Sequence, residues 1–162
     1  MLNNSINIIT ERYATRFQKN FSKELLLAYA AGLIDGEGCI GLYHNSHNGN
    51  YQLRITVEMV DKSGMEIISN LFKGKWYYKK AKKPRRARQI WMAFNRNAED
   101  ALQQLFPYLI VKRTQAELAL KGNWSGFVGG KKLTKKETEI RHEINLKIKK
   151  LNQRGYYEEN ER

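Results

Sequence analysis

The order of apolar patterns along the chain predicts an α+β fold with the element order αββαββα and further helices after it. Two observations lead to this prediction. Residues 52–59 alternate strictly between polar and apolar side chains, which is typical of a strand with one buried face. Residues 25–34 are apolar on almost every side, which is typical of a helix buried on more than one side. We therefore expect an antiparallel sheet that helices cover on one face only.

The first helix and the first hairpin occupy the chain up to residue 59. Ser22 can cap the helix, which we expect to end within residues 35–38. Residues 39–44 predict the first strand, and the polar run 45–50 predicts a turn. The alternating segment 52–59 is then the second strand, so the first two strands form a hairpin.

A second helix and a second hairpin follow in the same order. Asp61 can cap the helix, and Gly74 ends it. Residues 75–81 and 87–94 predict two strands around a turn that contains lysine and proline. Although the two αββ units share a plan, their sequences show no convincing repeat.

Three further helices complete the predicted domain. The third begins near Asn97 and runs to Phe106, and Pro107 separates it from a fourth over residues 111–121. Residues 134–137 form a capping box, a specific start signal for the last helix.

The predicted boundaries leave one domain over residues 22–153 of the 162-residue chain. Within it, a glycine-rich linker at about 122–133 precedes the last helix at about 135–153. Residues 1–21 are expected to be an N-terminal extension and residues 154–162 a tail.

Composition limits the function classes. Lys and Arg total 29 against 16 Asp and Glu, a net charge of +13, which favours a polyanionic partner such as nucleic acid. A single cysteine, Cys39, excludes an intramolecular disulfide framework and suits a reducing compartment. The sequence shows neither a secretory signal nor a run of about 20 apolar residues, so we expect an intracellular protein with no membrane partner.

The basic charge concentrates in the second hairpin. Residues 73–96 contain ten basic residues and no acidic one, interleaved with aromatic side chains. The alternative is a hairpin that is merely solvated, but the absence of acids argues against it. Phosphates attract such a surface, and a two-stranded ribbon fits the major groove of DNA. On the polar face of the second strand, Gln52 suits adenine, Arg54 suits guanine and Glu58 can accept from cytosine.

The segment 30–38, Ala-Ala-Gly-Leu-Ile-Asp-Gly-Glu-Gly, carries the remaining chemical signal. Asp35 and Glu37 lie at the carboxyl end of a buried helix, where the helix dipole disfavours negative charge. Their placement indicates either a bound cation or a tight turn with solvated acids. Small residues at Ala28, Ala31 and Gly32 would let another helix approach closely.

These nine residues resemble the LAGLIDADG motif of homing endonucleases. Ala30 replaces the first Leu of the motif, Gly36 replaces Ala and Glu37 replaces the second Asp. The element order over residues 22–121 resembles the same family, in which a curved sheet forms a DNA-binding saddle. Met65 falls where some members carry an arginine, which is a departure from the pattern.

The resemblance implies a Mg²⁺-dependent DNA endonuclease that hydrolyses phosphodiesters. Glu37 and the backbone carbonyl of Gly36 would bind the metal. Lys112 matches a basic residue of the catalytic pocket, and Asp61 lies where members place a polar residue near the attacking water. Mn²⁺ is expected to substitute for Mg²⁺, and Ca²⁺ is expected to bind without supporting cleavage.

The resemblance also implies how the enzyme assembles on DNA. With one motif per chain, two chains would pair through their motif helices, with Ala28, Ala31, Gly32 and Asp35 at the interface. A homodimer implies a pseudo-palindromic target and one cut per strand, hence staggered ends. The family role would be mobility of an intron or an intein, and because no splicing-domain motif is attached we expect an intron-encoded enzyme. The side chains expected to contact DNA are Tyr43, Asn45, Gln52, Arg54, Thr56, Glu58, Lys75, Tyr77, Lys79, Lys82, Lys83, Arg85, Arg86, Arg88, Gln89 and Trp91.

Two other classes of function remain open at this stage. The same fold serves RNA maturases that assist group I intron splicing, with intron RNA as partner, and regulators that bind DNA without cutting it. Retention of Glu37 argues against a regulator. Without the resemblance, the composition is that of a basic RNA-binding protein.

Overall fold

The computed structural model describes residues 21–45, 49–84, 86–124 and 133–153. The predicted tail, nearly all of the predicted N-terminal extension and most of the predicted linker lie outside these residues. Arg85 and the side chain of Asn45 also lie outside them.

Five helices and four strands are described, in the predicted α+β order. They are α1 (Lys23–Glu37), β1 (Gly38–Asn45), β2 (Asn50–Met59), α2 (Ser63–Leu71), β3 (Lys75–Lys79), β4 (Arg88–Phe94), α3 (Asn95–Leu105), α4 (Arg113–Leu120) and α5 (Lys135–Leu151). None of these described helices is long and apolar enough to span a bilayer.

The four strands form one antiparallel sheet in the order β1-β2-β4-β3. The two hairpins join through β2 and β4, where Arg54 lies opposite Phe94 and Val57 opposite Trp91. The second strand of each hairpin is therefore central, whereas β1 and β3 are the edges. This arrangement confirms the predicted pair of hairpins in a single sheet.

The core lies between one face of this sheet and the helices. Leu53, Ile55 and Val57 of β2 are fully buried, as the strict alternation of that strand predicts. From α1, Ala30 and Ile34 are equally buried against them. The described helices thus pack on one side, and the polar side of β2 stays uncovered by them.

The passage from α1 into β1 depends on Gly38. The hydroxyl of Ser22 accepts the Leu25 N–H at 3.3 Å and caps the start of the helix, as predicted. At the other end, a Cβ on Gly38 would lie 2.6 Å from the carbonyl oxygen of Ile34. Only glycine lets the strand leave the helix this abruptly, so the end of the motif becomes the start of the sheet.

Two helix starts differ from the sequence prediction. The carboxylate of Asp61 accepts the Ser63 N–H at 2.7 Å, but the N-cap position is Lys62. Helix α3 begins at Asn95, two residues before the predicted Asn97. Asn95 has φ 42°, and its side-chain oxygen accepts the Leu53 N–H at 3.2 Å, so a contact from another strand decides where α3 begins.

Buried polar contacts attach the last helix to the rest of the domain. The guanidinium of Arg141 donates to the carbonyls of Gly122 and Asn123 at 3.1 and 2.6 Å and lies 4.2 Å from the ring of Trp124. Burial lowers the pKa of Arg141, and the negative charges of Glu137 and Glu99 oppose that shift.

Candidate nucleic-acid interface and active site

The face of the sheet that no described helix covers, called the open face below, carries most of the residues predicted to contact DNA. Because strand side chains alternate, the residues between the buried positions of β2 all lie on this open face. The pairing register adds residues from the other three strands. On this face lie Tyr43, Gln52, Arg54, Thr56, Glu58, Lys75, Tyr77, Lys79 and Arg88.

Gln89 and Trp91 lie on the opposite, helix-covered face, so their predicted DNA contacts were wrong. Trp91 is fully buried and packs 6.4 Å from the ring of Phe72. Gln89 accepts a hydrogen bond from the indole N–H of Trp76 at 3.0 Å. The register pairs Trp91 with the buried Val57, which places the odd-numbered residues of β4 in the core.

The tip of the second hairpin forms a basic surface. Lys79, Lys82 and Lys83 are exposed and, with Lys80 and Arg88, line a recess of about 210 Å³. None of the described residues that line this recess is acidic, so the local potential favours phosphate oxygens.

Two arginines on the open face are already held by neighbours. The guanidinium carbon of Arg54 lies 3.2 Å from the centre of the Tyr43 ring. The Nε of Arg88 lies 2.5 Å from a carboxylate oxygen of Glu58, which forms an ion pair between β4 and β2. Glu58 is therefore paired with Arg88 in this chain and is less available to cytosine than the sequence indicated.

Asp35 is bound within its own chain. Its carboxylate accepts the N–H groups of Ile110, Val111 and Lys112 at 2.8, 3.1 and 2.9 Å. Within the described chain, these hydrogen bonds fasten the end of α1 to the loop before α4. The contact of Asp35 with a dimer mate stays a prediction.

The side chain of Lys112 also contacts the carboxyl end of α1. Its ammonium donates to the backbone carbonyl of Asp35, so a positive charge lies at the carboxyl end of α1. The helix dipole is negative there, and Glu37 is only two residues further on. The structure thus brings Lys112 next to the motif, as the resemblance implied.

Glu37 is the exposed acid of the motif. It is the last residue of α1 and lines an open cleft of about 400 Å³ together with Glu58, Val60, Arg86 and Arg88. Within the described ranges, no three His, Cys, Asp or Glu side chains are grouped to hold a metal. The cleft of one chain therefore offers the carboxylates of Glu37 and Glu58, together with the exposed backbone at Gly36, and Glu58 is paired with Arg88.

Between Leu25 and Gly36, the exposed residues of α1 form a narrow face and are all uncharged. Leu25, Ala28, Tyr29, Gly32 and Gly36 follow one another at helical spacing and are all exposed. No described atom of the chain lies within 4 Å of a Cβ placed on Gly32 or Gly36. A second helix could therefore approach closely along this face.

Ala31 does not belong to the exposed face. It is fully buried within the domain, so its predicted place in a dimer interface was wrong. Next to the end of α1, the loop fastened by Asp35 exposes Ile110 and Val111, at 84% and 70% of their surface.

Comparison with known proteins identifies this arrangement. The model of the LAGLIDADG endonuclease family matches residues 30–116, more than half of the chain. The chain belongs to the LAGLIDADG endonuclease family. A comparison with curated proteins finds no significant match.

Solved LAGLIDADG proteins share the fold. The homing endonuclease I-CvuI, in a crystal structure with an I-CreI target and Mg, gives a TM-score of 0.63 at 20% identity, over 85% of this chain and 89% of that chain. A second I-CvuI complex, with its own target and Ca, gives 0.57 at 18% identity, over 85% and 87%. These likenesses confirm the predicted fold class.

The matched region of this LAGLIDADG chain includes Glu37, Asp61 and Lys112. Met65 is fully buried, so the position where some members carry an arginine belongs to the core here. Sequence reasoning missed that Arg86 and Arg88 share the cleft of Glu37. The first hairpin indicates only that the end of β2 returns to the start of β1, whereas the arginines reach the cleft because the start of β4 pairs with the end of β2.

Proposed function

We propose that the protein is a site-specific double-strand DNA endonuclease that acts as a homodimer and hydrolyses phosphodiesters with a divalent metal. One observation carries the proposal. Glu37, the exposed motif acid, lines a cleft at the end of the open sheet face together with Arg86, Arg88 and Glu58. A group able to bind metal and a surface able to bind phosphate therefore meet at one end of the sheet.

DNA binding follows from the shape and charge of the open face. Four strands present polar side chains, and the hairpin tip adds Lys79, Lys82 and Lys83. A surface of this kind can contact base edges in the major groove while its basic rim contacts phosphates. The I-CvuI structures, which share the fold, contain DNA targets, and this supports DNA as the partner of the present chain.

The metal would be held by the carboxylate of Glu37 and the backbone carbonyl of Gly36. Hard oxygen donors of this kind suit Mg²⁺, and we expect Mn²⁺ to replace it and Ca²⁺ to bind without supporting cleavage. When bound, the ion would stabilise charge on the scissile phosphate and lower the pKa of water.

Two further side chains of this chain have proposed roles in the reaction. Lys112, held at the carboxyl end of α1, would stabilise negative charge on the phosphoryl oxygens. Asp61, exposed before α2, would orient the attacking water. Neither role requires the side chain to bind the metal directly.

A homodimer would supply the second motif acid that a single chain lacks. A single chain has one exposed motif acid, and its α1 presents a narrow apolar face with glycines. Pairing two such faces would bring two Glu37 residues together, one for each DNA strand. The symmetric product is a staggered double-strand break at a pseudo-palindromic site, and the proposed biological role is mobility of an intron that encodes the enzyme.

The experiment incubates the purified protein with Mg²⁺ and DNA carrying the uninterrupted form of the gene that hosts its coding sequence. We expect linearisation at one site, with staggered ends on sequencing. The control is Glu37→Gln, which keeps the shape of the side chain and removes its charge.

Other outcomes distinguish the alternative functions. A specific complex that is never cut, with Mg²⁺ or with Mn²⁺, would contradict the nuclease and support a regulator on the same fold. Faster splicing of the intron RNA without cleavage of DNA would support a maturase. Equal cutting by wild type and Glu37→Gln would contradict the assignment of Glu37.

A further inference from the structure

The open face contains one arginine that is stacked on an aromatic ring and, among the described residues, paired with no acid. We propose that Tyr43 positions Arg54 to recognise a guanine base in the major groove, so that Tyr43 controls base choice without itself reading the base. This inference rests on the proposed function, and it assigns a role to a pair of residues at the centre of that function's DNA surface.

The contact between the two side chains is close. The guanidinium carbon of Arg54 lies 3.2 Å from the centre of the Tyr43 ring, as expected when a flat cation stacks on an aromatic face. The register pairs Arg54 with Gly41 and Tyr43 with Gln52, so the two residues are diagonal neighbours on β1 and β2. Diagonal pairs lie within reach of one another when one side chain is aromatic.

Gly41 makes room for this diagonal contact. A Cβ placed on Gly41 would lie in ordinary contact, 3.5 Å from a carbon of the Tyr43 ring, so the ring lies where a longer side chain would extend. With no side chain directly opposite it, Arg54 meets the tyrosine ring instead of a cross-strand neighbour. Three residues of two adjacent strands thus form one preformed unit.

The polar atoms of this unit are incompletely satisfied. The Nε of Arg54 is buried and, among the residues that the structure describes, has no hydrogen-bond partner, and the same holds for the hydroxyl of Thr56 on the same face. The Nε of Arg88 likewise makes no hydrogen bond of good geometry, but it lies 2.5 Å from the carboxylate of Glu58, whereas no described acid pairs with Arg54. Because the Nε of Arg54 is buried, the donors that would reach a base are the two terminal guanidinium nitrogens, and the Tyr43 ring fixes their plane.

Position and geometry favour a base over a phosphate. Arg54 lies in β2, which has a neighbouring strand on each side, whereas the exposed lysines lie at the hairpin tip. The central strands of a sheet laid in the major groove face the base edges, and its margins face the backbones. Among base edges, guanine presents two acceptors, O6 and N7, that match two guanidinium donors.

The test measures how strongly binding depends on each base of the target. Affinities are measured in Ca²⁺ for targets in which symmetric pairs are changed one at a time. Arg54→Lys keeps the charge but loses the two-point contact, so it identifies the position that Arg54 reads. There we expect preference for guanine to fall about 5- to 150-fold, the range of a good two-point contact.

Variants of Tyr43 then show whether Tyr43 positions Arg54 or contacts the base itself. Tyr43→Phe keeps the ring face and is expected to retain the guanine preference. Tyr43→Leu removes the ring and is expected to lose most of the preference at the same position. The double variant Tyr43→Leu/Arg54→Lys should discriminate no worse than Arg54→Lys alone. Lys147→Ala, on the exposed side of α5, is the control and should leave this position unchanged.

Each contrary result has a distinct meaning. If Tyr43→Leu retains the guanine preference, or weakens all targets equally, Tyr43 does not position Arg54 and the inference is overturned while the nuclease proposal stands. If the wild-type protein binds all DNA sequences equally, the proposed function is overturned and this inference with it. Melting temperatures of all variants show whether a loss of preference reflects a loss of folding.

Discussion

Asp35 and Lys112 contact each other through both backbone and side chain. The carboxylate of Asp35 accepts the backbone N–H of Lys112 at 2.9 Å, and the ammonium of Lys112 donates to the backbone carbonyl of Asp35. The two residues are separated by 77 positions in sequence. Their contact joins the end of α1 to the start of α4, so the two parts of the proposed catalytic pocket hold one another in place.

Asp35→Asn is expected to destabilise the fold. The amide keeps one acceptor oxygen and places an NH₂ group among three backbone N–H donors, those of Ile110, Val111 and Lys112. We expect a loss of about 2 kcal/mol in the free energy of unfolding, or about 4–8 °C in melting temperature. Thermal and urea unfolding measure it.

The control for Asp35 is Asp61→Asn. Asp61 accepts one backbone N–H at an exposed helix start, so its change should cost about 1 kcal/mol or less. Equal stability of Asp35→Asn and wild type would show that the three hydrogen bonds do not stabilise the folded chain.

Glu37→Gln is expected to abolish cleavage and leave specific binding intact. Glu37 is exposed and lines the cleft at the end of the sheet, whereas the sheet itself carries the proposed DNA contacts. Single-turnover cleavage in Mg²⁺ and affinity in Ca²⁺ are measured in parallel. Glu139→Gln, which removes the same charge from the exposed surface of α5, should cut at the wild-type rate.

Gly32→Leu is expected to weaken dimerisation, whereas Ala31→Leu is expected to destabilise the folded domain. No described atom lies within 4 Å of a Cβ on Gly32, so Leu fits the folded chain but would separate two paired α1 helices. Ala31 is fully buried, so Leu there should destabilise the domain by about 1–3 kcal/mol. Sedimentation equilibrium and thermal unfolding separate the two effects. A Gly32→Leu variant that dimerises as tightly as wild type would place the interface elsewhere.

Lys82→Ala with Lys83→Ala is expected to reduce the salt dependence of DNA binding. Both lysines lie in the exposed hairpin tip. The slope of log K against log salt should fall by about 0.9 for each phosphate that the variant no longer neutralises. Lys121→Ala removes a charge already paired with Glu117 and should leave the slope unchanged. An unchanged slope in the double variant would show that the hairpin tip does not touch phosphates.

Arg141→Met is expected to destabilise the attachment of α5. It removes a buried cation and leaves the carbonyls of Gly122 and Asn123 without their donor. We expect a cost of about 3 kcal/mol in the free energy of unfolding. Lys147→Met, on the exposed side of the same helix, should change stability by no more than about 0.5 kcal/mol.

Local patterns in the sequence were enough for much of the fold and for the motif. Strand β2 could be predicted because its apolar residues all share one parity, which leaves a single way to bury them. The start of α5 could be predicted because the capping box of Thr134 and Glu137 satisfies helix donors with neighbouring side chains. Asp35 and Glu37 could be found because the motif is a contiguous segment of nine residues, which can be recognised without knowledge of the fold.

Tertiary structure alone decided which sides of α1 and β4 face the core. Strand β4 is apolar at both parities, and α1 is apolar almost all round, so neither pattern chooses a side. The side that faces the core is set by packing against the neighbouring strand and helices, which buries Trp91 and Ala31. Likewise, the partners of Asp35 lie 75–77 residues away in sequence, and the diagonal contact of Tyr43 with Arg54 depends on register. Contacts of this kind are set by how elements pack, which local periodicity does not encode.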